Sequence, residues 1–167
     1  MNIIVQTPRL IIREFLPQEK TVYLDHFTDE EVCKHLPKRS REERTTIFST
    51  ALTNYAATKQ TGTWGMFDKL NGNFIGSCLL RPFNDQPGVL ELGYSMEKSY
   101  WGKGIGTEMA KAMVNYAFTY ENVKEVVGVT TLENTASQRV LEKAGLLRMD
   151  DVEKSGEMVA FFKKQKV

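Results

Sequence analysis

Apolar positions along the chain change period several times, and each change marks an element. Leu10 to Phe15, after a Thr7-Pro8 turn signal, reads as a first strand. Pro17 stands where a first helical turn can begin, and Val22, Tyr23, His26 and Phe27 then recur at helical spacing. Ser40 with Glu43 matches a capping box. The stripe Ile47, Phe48, Ala51, Leu52 and Tyr55 behind it predicts a helix running to about Lys59. Beyond Gly62, Thr63 to Asp68 and Phe74 to Arg81 are strand-like, with a turn at Asn71-Gly72 between them. Val89 to Met96 is a further strand.

A glycine-rich turn, Gly102 to Gly106, then leads into a helix with Met109, Ala110, Met113, Val114 and Ala117 on one face. The β-branched run Glu125 to Thr131 reads as a buried strand. Asn134 caps a short helix closed by Gly145. Two weaker strands, Leu146 to Val152 and Glu157 to Lys163, follow. The order β-αα-βββ-α-β-α-ββ predicts one α/β domain over residues 1–167 with a mixed sheet.

Composition narrows the function classes. A chain of 167 residues with 41% hydrophobic and 26% charged residues is that of an ordinary globular protein. Its formal net charge of +1 gives no reason to expect nucleic acid or an anionic membrane as partner. The two cysteines, Cys33 and Cys78, lie in no CxxC spacing and beside no histidine at ligand spacing, so neither a disulfide framework nor a metal site is expected. His26 and His35 have no partner at a catalytic or metal spacing and read as structural or surface residues. No segment has the length of a membrane-spanning helix, and Met1 to Arg13 lacks the apolar core of a signal peptide. The expected location is the cytoplasm.

The informative stretch runs from Tyr94 to Glu108: Tyr-Ser-Met-Glu-Lys-Ser-Tyr-Trp-Gly-Lys-Gly-Ile-Gly-Thr-Glu. Alternating glycines leave backbone N–H groups uncovered and permit angles that gather them into one concavity. The helix starting near Gly106 adds its own free N–H groups and the positive end of its dipole. Together these suit a pyrophosphate. Two common nucleotide motifs are excluded by residue identity. In the Rossmann fingerprint the sixth position needs Gly or Ala, and Thr107 or Met109 stands there. In a Walker A loop Gly-Lys precedes Ser or Thr, and Gly102-Lys103 precedes Gly104. A tight turn with no ligand is the alternative reading.

The same stretch resembles the acyl-CoA signature of the GNAT superfamily of N-acetyltransferases, Arg/Gln-x-x-Gly-x-Gly/Ala. Gly104 and Gly106 match, and Trp101 stands at the Arg/Gln position. Tyr-Trp-Gly-Lys-Gly followed by Thr-Glu is the form of its RimJ/RimL-like ribosomal-protein branch. Thr7-Pro8-Arg9-Leu10-Ile11-Ile12-Arg13 resembles that branch's opening strand. Asn134-Thr135-Ala136-Ser137, then Val140 to Leu146, resembles its fourth-helix motif. The resemblance covers nearly the whole chain.

It implies a mainly antiparallel sheet of about seven strands with about four helices, splayed between the fourth strand, Val89 to Glu97, and the fifth. It implies acetyl-CoA as cosubstrate, no metal, and an acceptor amine: a peptide N-terminus, or a small amine such as a polyamine or aminoglycoside. A non-catalytic acyl-CoA-binding module is the reading from another class, and monomer and homodimer both remain open. Tyr94, Ser95 and Met96 would meet the pantetheine arm. Gly102, Gly104, Ile105, Gly106 and Thr107 would meet the phosphates, with Lys103 a phosphate contact or an idle exposed lysine and Trp101 packed against the cofactor loop or only against the fold. Asn134 would meet the arm's amide, and Ser137 would also lie at the cofactor.

Acyl transfer to an amine needs a proton acceptor, an oxyanion donor and a donor to the leaving thiolate. Glu91 is the candidate base, through water, with its pKa raised by an apolar strand; a solvated or substrate-binding glutamate is the alternative. The N–H of Met96 is the candidate oxyanion donor, although Lys98 replaces the family's proline two residues on. Ser137, at the position matching the serine of RimL-like enzymes, is the candidate acid that the resemblance implies, and Leu141 stands where many members carry tyrosine; the alternative is a residue of the first helical turn.

Overall fold

In a computed structural model that describes Met1–Val167, the chain opens with a strand that the sequence pattern did not predict. Ile3–Gln6 (β1) pairs antiparallel with Leu10–Arg13 (β2). Four residues with only partial burial carry too little periodicity to be read alone. Helices follow at Lys20–His26 (α1), Glu30–Cys33 (α2) and Arg41–Asn54 (α3). Then come Gly62–Asp68 (β3), Phe74–Pro82 (β4), Val89–Met96 (β5), Ile105–Phe118 (α4), Glu125–Thr131 (β6), Thr135–Lys143 (α5), Leu147–Lys154 (β7) and Glu157–Gln165 (β8). The count is thus eight strands and five helices, against the seven and four expected. The additions are β1 and the single turn α2.

The chain divides into two compact units. The first is Met1–Leu79 with Tyr94–Lys103, and the second is Leu80–Gly93 with Gly104–Val167. Strands β4 and β5 contribute residues to both. Hydrogen-bonded neighbours run β1-β2-β3-β4-β5-β6-β8-β7 in one mixed sheet.

The first unit is built on an aromatic cluster of Phe15, Tyr23, Phe48 and Phe67, with Phe74 packed against it. Ring centroids lie 5.2–5.4 Å apart for the Phe15–Tyr23, Phe15–Phe48 and Tyr23–Phe48 pairs. Each such buried ring contributes about 1.5–3 kcal/mol. The predicted box at the start of α3 is present, with Ser40 and Glu43 bonding each other's backbone N–H at 3.1 and 2.9 Å. α3 stops at Asn54, short of Lys59. The Tyr55 hydroxyl donates to the Thr63 carbonyl and accepts from the Phe15 N–H. That anchor ends the apolar stripe, and the residues after it have no face to bury.

In the second unit α4 buries Ile105, Met109, Ala110, Met113, Val114 and Ala117, the predicted stripe. β5 pairs parallel with β6 only at Val89, Leu90 and Glu91. β6 continues antiparallel with β8 from Glu125 to Thr131. α5 ends in a Schellman turn. Gly145, at φ 95°, donates to the Glu142 carbonyl, and Leu146 donates to that of Leu141. β7 and β8 are joined by a tight turn at Ser155-Gly156, where both residues have positive φ.

Candidate functional site

In the first unit the end of β5 is set by β4. The Glu97 N–H donates to the Ile75 carbonyl at 2.7 Å. Successive N–H groups of a strand point to opposite edges, so that of Met96 points away from β4. A Cβ on Gly76 would lie 2.1 Å from the Ser95 carbonyl oxygen, so only glycine admits the approach of β5 here.

The segment after β5 is tied down at several points. Trp101 donates its indole N–H to the Met96 carbonyl at 3.0 Å. Arg9 donates to the Lys103 carbonyl at 2.7 Å. The Tyr100 hydroxyl donates to Asp68, and Lys98 to Glu31. Trp101 therefore fixes the end of the strand, and Arg9 of the opening strand motif holds the turn. The Arg9 contact spans 94 residues, and no local spacing signals it. The Lys103 ammonium stands 5.6 Å from the centre of the Tyr100 ring.

Tyr94, Ser95 and Met96 thus belong with Trp101, Gly102 and Lys103 in this unit. His26 joins them. It is buried, and its ring bonds both Ser95 and Glu97, partners too distant along the chain for any spacing to signal.

In the second unit α4 starts from Gly104, whose φ of 77° is one that side chains rarely adopt. No side chain caps the helix. The first turn closes with the Glu108 N–H on the Gly104 carbonyl. The N–H groups of Ile105, Gly106 and Thr107 accordingly have no helical acceptor, and the fourteen-residue helix adds its positive end. Gly102, at φ 72°, is likewise open, with nothing within 4 Å of where a Cβ would stand. Free N–H groups at a helix start, as at Ile105, Gly106 and Thr107, are the kind of donor that binds a diphosphate.

Asn134 caps α5. Its Oδ1 accepts from the Ser137 N–H at 3.2 Å, and its Nδ2 donates to Thr130 Oγ1 on β6 at 2.9 Å. Ser137 is half-buried, and its N–H, not its hydroxyl, is what Asn134 engages. Leu141 packs on Gly128 of β6, where any Cβ would come within 2.7 Å of it.

Glu91 differs from expectation. It is buried, and Arg81 holds it by two bonds, at 3.0 and 3.2 Å, while Lys154 adds a third at 3.2 Å. Burial pushes its carboxyl up, but Arg81 and Lys154 outweigh that and leave the pKa below the ordinary 4.5. The raised pKa expected from an apolar strand is therefore corrected. The hairpin explains the pairing. Phe83 donates to the Val89 carbonyl, and two residues further along each strand Arg81 faces Glu91.

No helix is long and apolar enough to cross a membrane. No cluster of His, Cys, Asp and Glu has the makings of a metal site.

Comparison with known proteins follows the geometry. An uncharacterized N-acetyltransferase of Bacillus licheniformis, p20, is 26% identical over 157 residues, covering 89% of this chain and 86% of its own. RimL, a ribosomal L7/L12 alpha-N-protein acetyltransferase solved with coenzyme A, superposes with a TM-score of 0.82 over 98% of both chains at 13% identity. AAC(6')-Ib, solved with parmomycin and acetyl-CoA, reaches 0.77 over 94% of this chain and 93% of its own at 16% identity. At these identities the solved structures speak for the fold. The sequence model of the acetyltransferase (GNAT) domain matches residues 9–147, from the opening motif through the glycine turn to the start of β7, and the chain belongs to the GNAT acetyltransferase family, whose fold uses acetyl-CoA.

Proposed function

We propose that this acetyltransferase moves acetyl from acetyl-CoA to a primary amine, with a protein N-terminal α-amine as acceptor in the manner of the RimJ/RimL-like branch. The observation that carries the donor half is the uncapped start of α4, with Gly102 and Gly104 both at positive φ before it. The acceptor half rests on the Tyr100-to-Glu108 segment and the Asn134-to-Ser137 motif, whose residues take the branch's form.

The amine must be neutral to attack the thioester carbonyl, and a free α-amine has a pKa near 8. Charge then builds on the carbonyl oxygen, where the Met96 N–H is the donor assigned to it. Ser137 is assigned the proton donor to the leaving sulfur. Glu91 is assigned a different role from the base first expected. A carboxylate bonded to two cations and held below its ordinary pKa is a poor acceptor for an ammonium proton. It serves as the fixed anion of the Arg81–Glu91–Lys154 group.

The test is release of CoA thiol from acetyl-CoA with peptides bearing free Ser, Ala, Thr and Met N-termini, with spermidine and with an aminoglycoside. Release with a peptide, lost when its N-terminus is blocked, is the expected result. Release with spermidine or the aminoglycoside alone assigns a small-amine acceptor and overturns the protein-substrate half.

A further inference from the structure

His26 closes α1, and its side chain is 0% exposed. Its Nε2 lies 2.8 Å from Ser95 Oγ and its Nδ1 lies 3.0 Å from Glu97 Oε2. Ser95 and Glu97 are two residues apart, so extended backbone sends both side chains to one face. The hydrogen positions follow from the chemistry of the partners. An ionised carboxylate only accepts, so Nδ1 carries the hydrogen given to Glu97. Nε2 is then a lone pair, and the Ser95 hydroxyl donates to it.

The three groups therefore form a directed line. It starts at a serine that is 8% exposed and ends at a glutamate whose side chain is 35% exposed. Packing alone does not require this polarity. An apolar side chain among Phe27 and Phe74, whose rings meet the imidazole edge-on at 4.8 and 5.3 Å, would fill the space. The other charges facing the ring are Arg44 of α3, stacked 3.9 Å over Phe27, and Asp29 at the start of α2. Burial and Arg44 favour the neutral ring, while Glu97 and Asp29 favour the charged one. Burial prevails, leaving the pKa below 6.5 and the ring neutral at pH 7. Ser95 also adjoins Met96, the residue assigned to the developing oxyanion.

We propose that Ser95 and His26 form the relay that takes the proton released by the acceptor amine. The proposal rests on the acyl-transfer reading above. An N–H bond of the ammonium breaks, and its proton binds Ser95 Oγ as the serine's own proton passes to His26 Nε2. The nitrogen keeps the electron pair with which it attacks. The imidazolium so formed keeps its Nδ1–H on Glu97, whose carboxylate stabilises the charge, and it gives the extra proton back from Nε2 through Ser95 to solvent once the product has left. Ser95 touches the amine; His26 acts through it.

The test uses the full chain and whichever amine it acetylates. His26→Gln can bond both neighbours but cannot accept a proton. It should bind acetyl-CoA within about twofold of the wild type and lose about a hundredfold in kcat, the scale of a lost general base. The acid limb of the wild-type pH profile, below 6.5, should vanish in the variant. Ser95→Ala, which deletes one oxygen, should lose kcat similarly, and it carries the test if His26→Gln does not fold. Nitrogen NMR of the free protein should show His26 protonated at Nδ1. A kcat within about twofold of wild type in both variants, a retained acid limb, or an Nε2–H tautomer overturns the relay. A wild type that acetylates no amine removes the acyl-transfer reading and the relay with it, a failure distinct from an active wild type with unaffected variants.

Discussion

The Arg81–Glu91–Lys154 group and the His26–Ser95–Glu97 group both draw residues from β5, and they settle buried charge in opposite ways. Glu91 is surrounded by cations, and its carboxylate is spent on them. His26 is kept neutral by burial despite a carboxylate bonded to it, and it retains a lone pair. Burial alone therefore does not mark a reactive group. The direction in which its partners point decides whether it can still exchange a proton. The same strand contributes Glu91 to a group of paired charges and Ser95 to a group that keeps a neutral imidazole.

Four substitutions sharpen the contrast, from largest effect to smallest. Gly76→Ala drives a methyl against the Ser95 carbonyl, at 2.1 Å from its oxygen, where backbone must yield. A loss of about 3 kcal/mol in urea unfolding is expected. A loss below about 1 kcal/mol would mean that β4 and β5 part easily there.

Glu91→Gln should cost about 2 kcal/mol at pH 7, since charged hydrogen bonds are lost. The sign with pH follows from the lowered pKa. The carboxylate contributes fully above its ordinary 4.5, and the contribution fades as pH falls through the lower folded value. Denaturation series at falling pH should show the gap between wild type and variant closing in that window.

His26 works in a different window. Its folded pKa lies below 6.5, so the unfolded chain takes the proton first. Stability then falls as pH drops below 6.5, by at most about 1.4 kcal/mol per pH unit, until the folded value is reached. His26→Gln should remove that slope while leaving the Glu91 window in place. Asn134→Ala removes the α5 cap and should cost about 1 kcal/mol, read by thermal unfolding.

Much of the fold was legible because its signals are local. The Ser40–Glu43 box, the α4 stripe, the Asn134 cap and the Gly145 stop are each spelled within one or two turns. β1 was hidden because its stability comes from pairing with β2 rather than from its own pattern. α2 is a single turn, started by Asp29 accepting from the Glu31 N–H, and too short for periodicity.

The site divides the same way. The glycine turn is readable because backbone freedom is written in the residue type. His26 is not, since its partners lie 69 and 71 residues away and are adjacent only through folding. Glu91 and Arg81 are only 10 residues apart on one hairpin, and counting its register would have paired them and reversed the pKa expectation. Lys154, 63 residues on, was beyond such counting.

The most direct test of the account is calorimetric titration of the folded protein with acetyl-CoA, repeated on Gly104→Val. A β-branched residue at φ 77° spoils the start of α4, where backbone N–H groups are assigned to the diphosphate. The account predicts saturable binding to one site per chain, weakened about tenfold or more in the variant, a loss of about 1.4 kcal/mol. Absence of acetyl-CoA binding to the wild type, or equal binding to a folded Gly104→Val protein, would contradict it.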